Sequence, residues 1–331
     1  MAVIDQALIR SRRARRPETL ADLMTMVGLT SGVANIIMQL SLPAVGHGVH
    51  ESRVVSGSPR RRPFKRLRTT SQHLVVSVLG NESDRDAFRE EMRAVHAHVH
   101  STESSPVRYS GNARDLQLWV AACLFRFYID QYELLYGPLD RAALDVLTPA
   151  AAPLATGVNV PESAWPQSWH EFEDYWDSML PSLSIAPEVR DDLKSLSDFM
   201  FLHEALGAPG WVLARVFGPL NHFLTRGNLP SEFRDMLGWK WSEATVVRFA
   251  IPCLLILVPF WFIDTSVLNR ATMTLPIFIP FVYFSIALNK IYRRGRLRHH
   301  GLDPELVDVI AREKEADLHA AYIAKHGPRD H

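Results

Sequence analysis

An unusually apolar segment extends from Asp115 to Tyr136 and constrains the fold more than any other part of the chain. Its apolar and aromatic residues cover most of a helical circumference, which is typical of a helix surrounded by other elements. Gly137 and Pro138 follow and end the pattern. The sequence therefore predicts a central helix over 115–136. Most of its aromatic residues are expected in the core: Trp119, Phe125, Phe127, Tyr128 and Tyr132.

The remaining chain also shows helical spacing, interrupted by segments rich in glycine, proline and serine. No strand-like alternation or internal repeat is visible, so the predicted class is all-α. The expected architecture is a single large helical domain with apolar C-terminal helices. Further helices are predicted from near Glu18 to Gly28 and over 32–40, 66–79, 83–100, 140–147 and 168–180, with loops over 46–63, 101–112 and 148–161.

The charge balance limits the class of partner. Lys and Arg together number 36 of 331 residues, and Asp and Glu also number 36, so the formal net charge is zero. Proteins that bind nucleic acid usually carry a basic excess, so no nucleic acid partner is expected. Basic residues are nevertheless concentrated between Arg10 and Arg16 and again between Arg60 and Arg68.

Two apolar runs, at 251–263 and 275–288, distinguish the C-terminal part. Each is shorter than the ~20 residues of a comfortable membrane-spanning helix. Two interpretations stay open: a pair of buried core helices, or a hairpin that is embedded in a membrane or lies on one. The predicted organisation is a flexible basic arm (1–18), a helical domain (19–243), an apolar helical hairpin (244–298), and a charged C-terminal helix and tail (299–331).

The two cysteines, Cys123 and Cys253, each stand in an apolar run. Buried thiols are expected there, because a free cysteine in such surroundings behaves as a small hydrophobic residue. The pair suggests neither a disulfide framework nor a cysteine metal site. Together with an N-terminus that has no secretory pattern, this predicts a cytoplasmic protein, with membrane association through 251–288 as the open alternative.

A strongly patterned helix is predicted from Ser83 to His100. Ser83 would cap its N-terminus, and the acidic residues in its first turns would interact favourably with the helix dipole. Four apolar residues follow helical spacing and are expected to face the core. His96 flanks this stripe, which predicts a buried imidazole that needs a polar partner. The stripe consists of Phe88, Met92, Val95 and Val99.

Three histidines, His96, His98 and His100, lie close to the end of this helix. Histidine is the usual protein ligand of haem iron and of zinc. His96 and His100 are four residues apart and would share a helical face, so a two-histidine zinc or non-haem iron site is one interpretation. A zinc hydrolase would need a third ligand, and the HExxH pattern is absent. His98 and His100 otherwise suit an exposed surface.

A basic run that ends in hydroxyl residues, PFKRLRTTSQHL, forms the second chemical feature. Buried carboxylates, such as the two propionates of haem, need cations and hydroxyl donors. The alternative is a solvated helix start or a patch that faces a membrane surface. The residues with suitable chemistry are Arg66, Arg68, Thr69 and Thr70.

Five segments, in order, resemble the family of MpaB and the latex-clearing rubber oxygenases. The likeness covers about residues 25–240, and it rests on the order and spacing of the segments rather than on any single one. The segments are LPAVGHGVHESR (Leu42–Arg53), RLRTT (Arg66–Thr70), MRAVHAHV (Met92–Val99), RYSGNARDLQLWV (Arg108–Val120) and VPESAWPQSWHEFEDYWDSML (160–180).

The resemblance implies an all-α domain that encloses haem b. The histidine of the family's R-x-x-H pattern is the axial iron ligand, which makes His96 the expected metal ligand. Arg66, Arg68 and Thr70 would bind the cofactor. Latex-clearing protein has a lysine, able to bind the distal side of the iron, where this chain has Thr69. Lysine ligation from that position is therefore not expected. Two further departures from the family pattern are Ser101 and Gly111.

Members of this family use O₂ to cleave a carbon–carbon double bond in an isoprenoid chain. The resemblance therefore implies a haem-dependent oxygenase that acts with O₂ on an apolar, isoprenoid or lipid-like substrate. The catalytic residues would be Arg66, Thr69 and Thr70, with Glu51 as an acid or base; an exposed loop carboxylate is the alternative for Glu51. A different class stays open, a non-catalytic membrane-associated binding or scaffold protein.

Overall fold

A computed structural model describes residues 17–24, 31–52 and 63–242. Within these ranges the chain is helical, and its one β-type pairing is an isolated bridge between His100 and Ser110. The predicted all-α class and the single helical domain are confirmed. The predicted hairpin (244–298), the tail (299–331) and most of the basic arm lie outside the described residues.

The described part of the chain contains thirteen α-helices and two short 3₁₀ helices. The α-helices are α1 (Leu20–Leu23), α2 (Gly32–Leu40), α3 (Pro43–His50), α4 (Pro63–Leu79), α5 (Glu82–His96), α6 (Arg114–Tyr136), α7 (Arg141–Ala150), α8 (Pro153–Thr156), α9 (Trp169–Met179), α10 (Pro187–Ser197), α11 (Phe201–Leu206), α12 (Ala208–Gly227) and α13 (Ser231–Leu237). The 3₁₀ helices are Glu162–Ala164 and Leu180–Ser182.

Helix α6 is the centre of the core, as its apolar circumference predicts. Trp119 is fully buried and stacks on Trp176 of α9, with ring centroids 5.1 Å apart. Phe125 meets Phe172 edge to face at 5.0 Å and Trp165 at 5.9 Å. Edge-to-face and offset-stacked aromatic pairs add to the stabilisation that comes from burial alone. The core therefore forms where α6 and α9 present aromatic rings to each other.

Buried polar side chains of α2 complete this contact with α6. Asn35 Nδ2 donates a hydrogen bond to the carbonyl oxygen of Cys123 at 2.8 Å, and Gln39 donates to Asn35. The indole Nε1 of Trp119 donates to the carbonyl oxygen of Gln39 at 3.1 Å. Because these groups bind each other, burying them carries little penalty. Cys123 is the buried thiol that was predicted, and its burial raises its pKa well above the ordinary value; Cys253 lies outside the described residues.

Several helix ends follow the local sequence signals. Gly137 ends α6 with a backbone φ of 90°, a conformation that favours glycine. Asp140 caps α7 by accepting from the amide of Ala143 at 2.8 Å. Ser168 caps α9 by accepting from the amide of Glu171 at 3.2 Å. The predicted helix starts at 140 and 168 are therefore confirmed to within a residue.

Two predicted loops are wrong in part. The segment 46–63 begins inside α3, which starts at Pro43 in the first-turn position that proline tolerates and continues to His50. Glycines fit inside α3 because neighbours approach closely; a Cβ on Gly48 would lie 3.3 Å from the ring of Tyr109. The predicted loop 148–161 includes the end of α7 and all of α8, which again opens with a proline.

The predictions for α5 also need correction. The helix is capped by Asn81, which exchanges hydrogen bonds of 2.9 and 3.1 Å with Asp84, and not by Ser83. It ends at His96 and not at His100. No residue of α5 is buried, so the predicted core-facing stripe is wrong. The reason is that α5 lies at the surface of the domain, where Phe88 is half-buried against the ring of His73 on α4.

Candidate functional site

His96 is the last residue of α5, and its ring is half-buried rather than fully buried. Its Nδ1 lies 3.2 Å from the amide nitrogen Nε2 of Gln117 on α6. His98 and His100 are both exposed, as predicted. The three histidines are therefore separated by environment, and His96 is the one that the fold holds against the central helix.

The side chain of Gln117 is buried and its orientation is fixed from both ends. Its Nε2 also donates to the carbonyl oxygen of Gly111 at 2.8 Å, and its Oε1 accepts from the amide of Asn159 at 2.9 Å. The NH₂ group must therefore face His96, so Nδ1 of that imidazole acts as the acceptor. A neutral imidazole that accepts at Nδ1 carries its proton on Nε2. A metal binds the unprotonated nitrogen of a neutral imidazole, so binding at Nε2 would require the ring proton to move to Nδ1, where it would need an acceptor in place of the amide NH₂ group.

The segment after His96 is folded back tightly onto it. The amide of Gly111 donates to the carbonyl oxygen of Val99 at 2.7 Å, and the amide of Ser101 donates to that of Tyr109 at 2.9 Å. A Cβ on Gly111 would lie 2.8 Å from the carbonyl oxygen of His96 and 3.1 Å from its Cβ. The glycine that departs from the family pattern is therefore suited to this close approach, which an alanine would crowd.

Glu51 follows α3 and joins this segment to the rest of the domain. Its Oε2 accepts hydrogen bonds from the hydroxyl of Ser105 and, at 2.9 Å, from that of Tyr109. Its Oε1 lies 3.2 Å from Nδ1 of the buried His47. The side chain is 24% exposed, so the alternative of a freely exposed loop carboxylate is wrong.

The environment of Glu51 favours its ionised form. Partial burial acts to raise its pKa, but the hydrogen bonds from Ser105 and Tyr109 and the interaction with His47 outweigh burial. The net effect is a pKa below the ordinary value of 4.5. A carboxylate with a lowered pKa accepts a proton less readily, which weakens it as a general base.

Further histidine–carboxylate pairs connect α3 to α10. Nδ1 of His47 lies 3.7 Å from Glu188, and Nδ1 of His50 lies 2.7 Å from Asp192. These pairs hold the helices together, and His47 is shared between Glu51 and Glu188. In the part of the chain that the structure describes, no group of three or more His, Cys, Asp or Glu side chains could hold a metal ion.

The basic run is located on α4, as predicted. The side chains of Thr69 and Thr70 are half-buried there. The side chains of Arg66 and Arg68 lie outside the described residues, although their backbone is helical. Their assignment to a cofactor or to catalysis stays a prediction.

The pairing of His96 with His100 is not supported. Because α5 ends at His96, the two residues do not share a helical face. His100 is exposed and its Nδ1 lies 3.3 Å from the carbonyl oxygen of Ser101.

Sequence reasoning overlooked Gln117, Asn159, Ser105 and Tyr109. A signal existed for Gln117 alone, because a glutamine in an otherwise apolar central helix must find a partner once it is buried. The remaining three residues lie in loops, where sequence spacing does not indicate which side chains meet. Their positions near His96 and Glu51 depend on the tertiary fold.

Comparison with known protein families bears on the same stretch of chain. The profile described as "ER-bound oxygenase mpaB/B'/Rubber oxygenase, catalytic domain" matches residues 21–256. The chain belongs to the mpaB/rubber oxygenase family. This confirms the family indicated by the five sequence segments, and it means that the helical domain of this mpaB/rubber oxygenase family member is an oxygenase catalytic domain. A second profile, of a family of unknown function (DUF5313), matches residues 228–330.

Similar proteins occur in mycobacteria. Uncharacterized protein Mb2261 of Mycobacterium bovis and Uncharacterized protein Rv2237 of Mycobacterium tuberculosis are each 45% identical over 216 residues, which cover 65% of this chain and 82% of each relative. Uncharacterized protein Rv2742A of Mycobacterium tuberculosis is 51% identical over 106 residues, which cover 30% of this chain and 79% of that protein. No solved structure matches the chain.

Proposed function

We propose that this protein is a haem b-dependent oxygenase that uses O₂ to oxidise an apolar, isoprenoid or lipid-like substrate, by cleavage of a carbon–carbon double bond or a related oxidation. The observation that supports this most is the position of His96. It lies in a chain segment that resembles the family's R-x-x-H pattern, within the matched catalytic domain, and a buried amide contacts its ring.

The donor set at His96 fits haem better than it fits a bare metal ion. A porphyrin supplies four nitrogens, so haem iron needs a single axial histidine from the protein. Zinc or non-haem iron would need three or more protein ligands, and no such group occurs in residues 17–24, 31–52 and 63–242. A single histidine from the protein is therefore compatible with haem and insufficient for zinc or non-haem iron.

Each of the candidate residues would have its own role in binding the cofactor. His96 would hold the iron through Nε2 with its proton on Nδ1, and the side-chain amide of Gln117 would turn so that Oε1 accepts from that N–H and fixes the plane of the ring. Thr70, Arg66 and Arg68 would bind the propionates, since a carboxylate pairs well with guanidinium and hydroxyl groups. Bound haem would supply the redox-active iron at which O₂ reacts.

Glu51 is assigned to positioning rather than to proton abstraction. It joins α3 to the segment that packs on His96, through Ser105 and Tyr109. The hydrogen bonds that hold its carboxylate also lower its pKa, which weakens it as a base toward a substrate. The substrate class is inferred from the family, whose description includes rubber oxygenases, because rubber is a polyisoprene.

The decisive experiment is an absorption spectrum of the purified full chain after haem supplementation. We expect a Soret band in the wild type and its loss in His96→Ala. The matched control is His98→Ala, which removes an exposed histidine two residues away and should retain the band. A wild type without a Soret band, or a band that survives in His96→Ala, would contradict the proposal.

Gln117→Leu tests the orientation of the ring separately. The substitution keeps the size of the side chain and removes the hydrogen bond to Nδ1, so we expect weaker haem retention of about tenfold to a hundredfold. Circular dichroism would establish that the variant is folded. Oxygen uptake in the presence of an isoprenoid panel then tests the reaction, and metal analysis that finds stoichiometric zinc would favour a different enzyme class.

A further inference from the structure

Helix α12 has an inverted distribution of side chains. Helices at the surface of a globular protein normally present large apolar residues to the core and polar residues to water. On α12 the buried positions carry small or polar residues: Gly210, Ala214, Gly218, Asn221 and Thr225. The exposed positions carry large apolar residues instead: Trp211 (44% exposed), Val212 (51%), Leu213 (39%), Val216 (62%) and Phe217 (52%). We refer to these last five residues as the α12 apolar face.

This concentration of exposed apolar residues is local. Of the eight large hydrophobic residues that are exposed in the part of the chain the structure describes, five belong to the α12 apolar face. The other three, Val95, Leu134 and Val146, are scattered singly on α5, α6 and α7. Single exposed apolar residues are ordinary, whereas a contiguous patch usually marks a surface that binds something apolar.

The small residues explain how α12 is held without burying its large ones. A Cβ on Gly210 would overlap the carbonyl oxygen of Leu202, and one on Gly218 would overlap that of Asp198. Asn221 Nδ2 donates to the carbonyl oxygen of Ser197 at 2.8 Å. Small residues spaced four apart let helix backbones approach closely, and polar side chains can then form hydrogen bonds from one helix to the next. Both features are typical of helices that pack in a membrane environment.

The charges on α12 indicate the kind of apolar surface. Its 20 residues include no Asp or Glu. The guanidinium of Arg215 lies 5.2 Å from the ring centroid of Trp211. Beyond α12, Trp241 lies 5.8 Å from both Arg226 and Arg234. Tryptophan is enriched where a protein meets the boundary between lipid tails and headgroups. Basic residues attract anionic lipid, and α12 itself contributes no carboxylate that would oppose this.

The geometry favours a helix that lies on a bilayer. One side of α12 packs against α10, α11 and α2, so lipid can reach only the opposite side. Among the described helices, none is long and apolar enough to cross a membrane. A helix with an apolar face and a cationic fringe binds in the interfacial plane.

The sequence that follows extends the same chemistry. The described chain ends at Ser242, soon after α13, and the apolar runs 251–263 and 275–288 come next. Five basic residues then fall between Lys290 and Arg298, with no acidic residue among them. Apolar surface followed by cationic sequence is what an anionic bilayer would attract.

We infer that the α12 apolar face lies in the interfacial layer of an anionic lipid bilayer and binds the catalytic domain to it. This goes beyond the proposed function and does not depend on haem, because the residues involved are distinct from those at His96. A second copy of this chain, another protein, or another part of this chain is the competing occupant of the same face.

Vesicle flotation of the full chain tests the inference. Vesicles of phosphatidylcholine with about a third phosphatidylglycerol should carry the wild type, with weaker binding in vesicles of phosphatidylcholine alone and at high salt. Val216→Asp/Phe217→Asp should lower the partition coefficient about tenfold or more, because each change places a charge in the apolar layer. The matched control is Leu134→Asp, at a residue that is 66% exposed on α6, and it should bind as the wild type does.

The results of this experiment distinguish a lipid bilayer from a protein as the partner of the α12 apolar face. Flotation that is unchanged in Val216→Asp/Phe217→Asp would overturn the inference, as would a wild type that does not float. A concentration-dependent dimer of the wild type that the double variant abolishes, without lipid binding by either, would assign the face to a second copy and also overturn it. Circular dichroism and a thermal unfolding midpoint equal to those of the wild type would show that the double variant is folded.

Discussion

Helices α6 and α12 are both rich in aromatic and aliphatic residues, yet they place them in opposite directions. On α6, Trp119 and Phe125 are fully buried among rings from α9. On α12, Trp211 and Phe217 are about half exposed. The difference shows that apolar content does not by itself indicate what a helix will contact.

The small residues account for the difference. Helix α6 meets its neighbours through large side chains, so the space between helices is filled by rings. Helix α12 meets α11 and the end of α10 through Gly210 and Gly218, where the backbones come too close to admit any side chain. Its large residues are therefore excluded from that contact by sterics and must point outward.

The largest expected loss of stability comes from a substitution in the buried helix α6. Trp119→Ala removes a fully buried indole, its stacking on Trp176 and its hydrogen bond to Gln39. We expect the free energy of unfolding, measured with urea, to fall by about 3–5 kcal/mol. Trp119→Phe, which keeps a ring in the core, should lose clearly less. A loss below about 1 kcal/mol for the alanine variant would mean that α6 is not the centre of the core.

Adding one methyl group to α12 should have the next largest effect. In Gly218→Ala the new Cβ would overlap the carbonyl oxygen of Asp198, and backbone atoms cannot move aside as a flexible side chain can. We expect a loss of about 1–3 kcal/mol in the free energy of unfolding. Gly32→Ala is the matched control, because its Cβ would meet nothing within 4 Å, and its stability should be unchanged or slightly raised. Equal effects in the two variants would refute the close-packing account of α12.

A carboxyl on α6 allows a test of burial by pH. Burial raises the pKa of Asp130 from 3.8 to about 6, Glu133 and Glu232 add to this, and Arg126, at 3.0 Å, opposes it. A raised pKa in the folded state means that stability present below pH 3.8 is lost as the pH rises through about 6.

The variant Asp130→Asn cannot ionise and should not show this loss. Relative to the wild type, we expect it to gain about 1–2 kcal/mol in the free energy of unfolding as the pH rises across that window. Urea unfolding at several pH values measures the difference. Asp174→Asn, at an exposed carboxyl on α9, is the control. A difference between Asp130→Asn and the wild type that does not vary with pH would contradict the raised pKa of this half-buried carboxyl.

The smallest expected change in stability comes from a substitution on the α12 apolar face. Phe217→Ser in buffer without lipid should change the free energy of unfolding by no more than about 0.5 kcal/mol, because the side chain is 52% exposed and leaves no cavity behind. Thermal and urea unfolding would measure this. A loss above about 2 kcal/mol would show that another part of the chain already covers the face in solution.

At the site around His96, some features could be predicted from the sequence and others could not. The R-x-x-H segment indicated the histidine, and the family comparison confirms the domain in which it lies. The predicted extent of α5 is wrong, because nothing in AVHAHVH marks His96 as the last helical residue. Glu51 was identified as a chemical group, but its partners Ser105 and Tyr109 come from a loop more than fifty residues later in the chain.

The sequence by itself determined the all-α class, the central position of α6 and the family, since periodicity and ordered segments are local properties that a chain carries with it. Only the tertiary structure decided that Gln117 orients His96, that Glu51 ties α3 to the segment behind that histidine, and that α12 presents its apolar side outward. These depend on which surfaces meet, and that is set by the fit of side-chain volumes and hydrogen-bonding groups across distant parts of the chain.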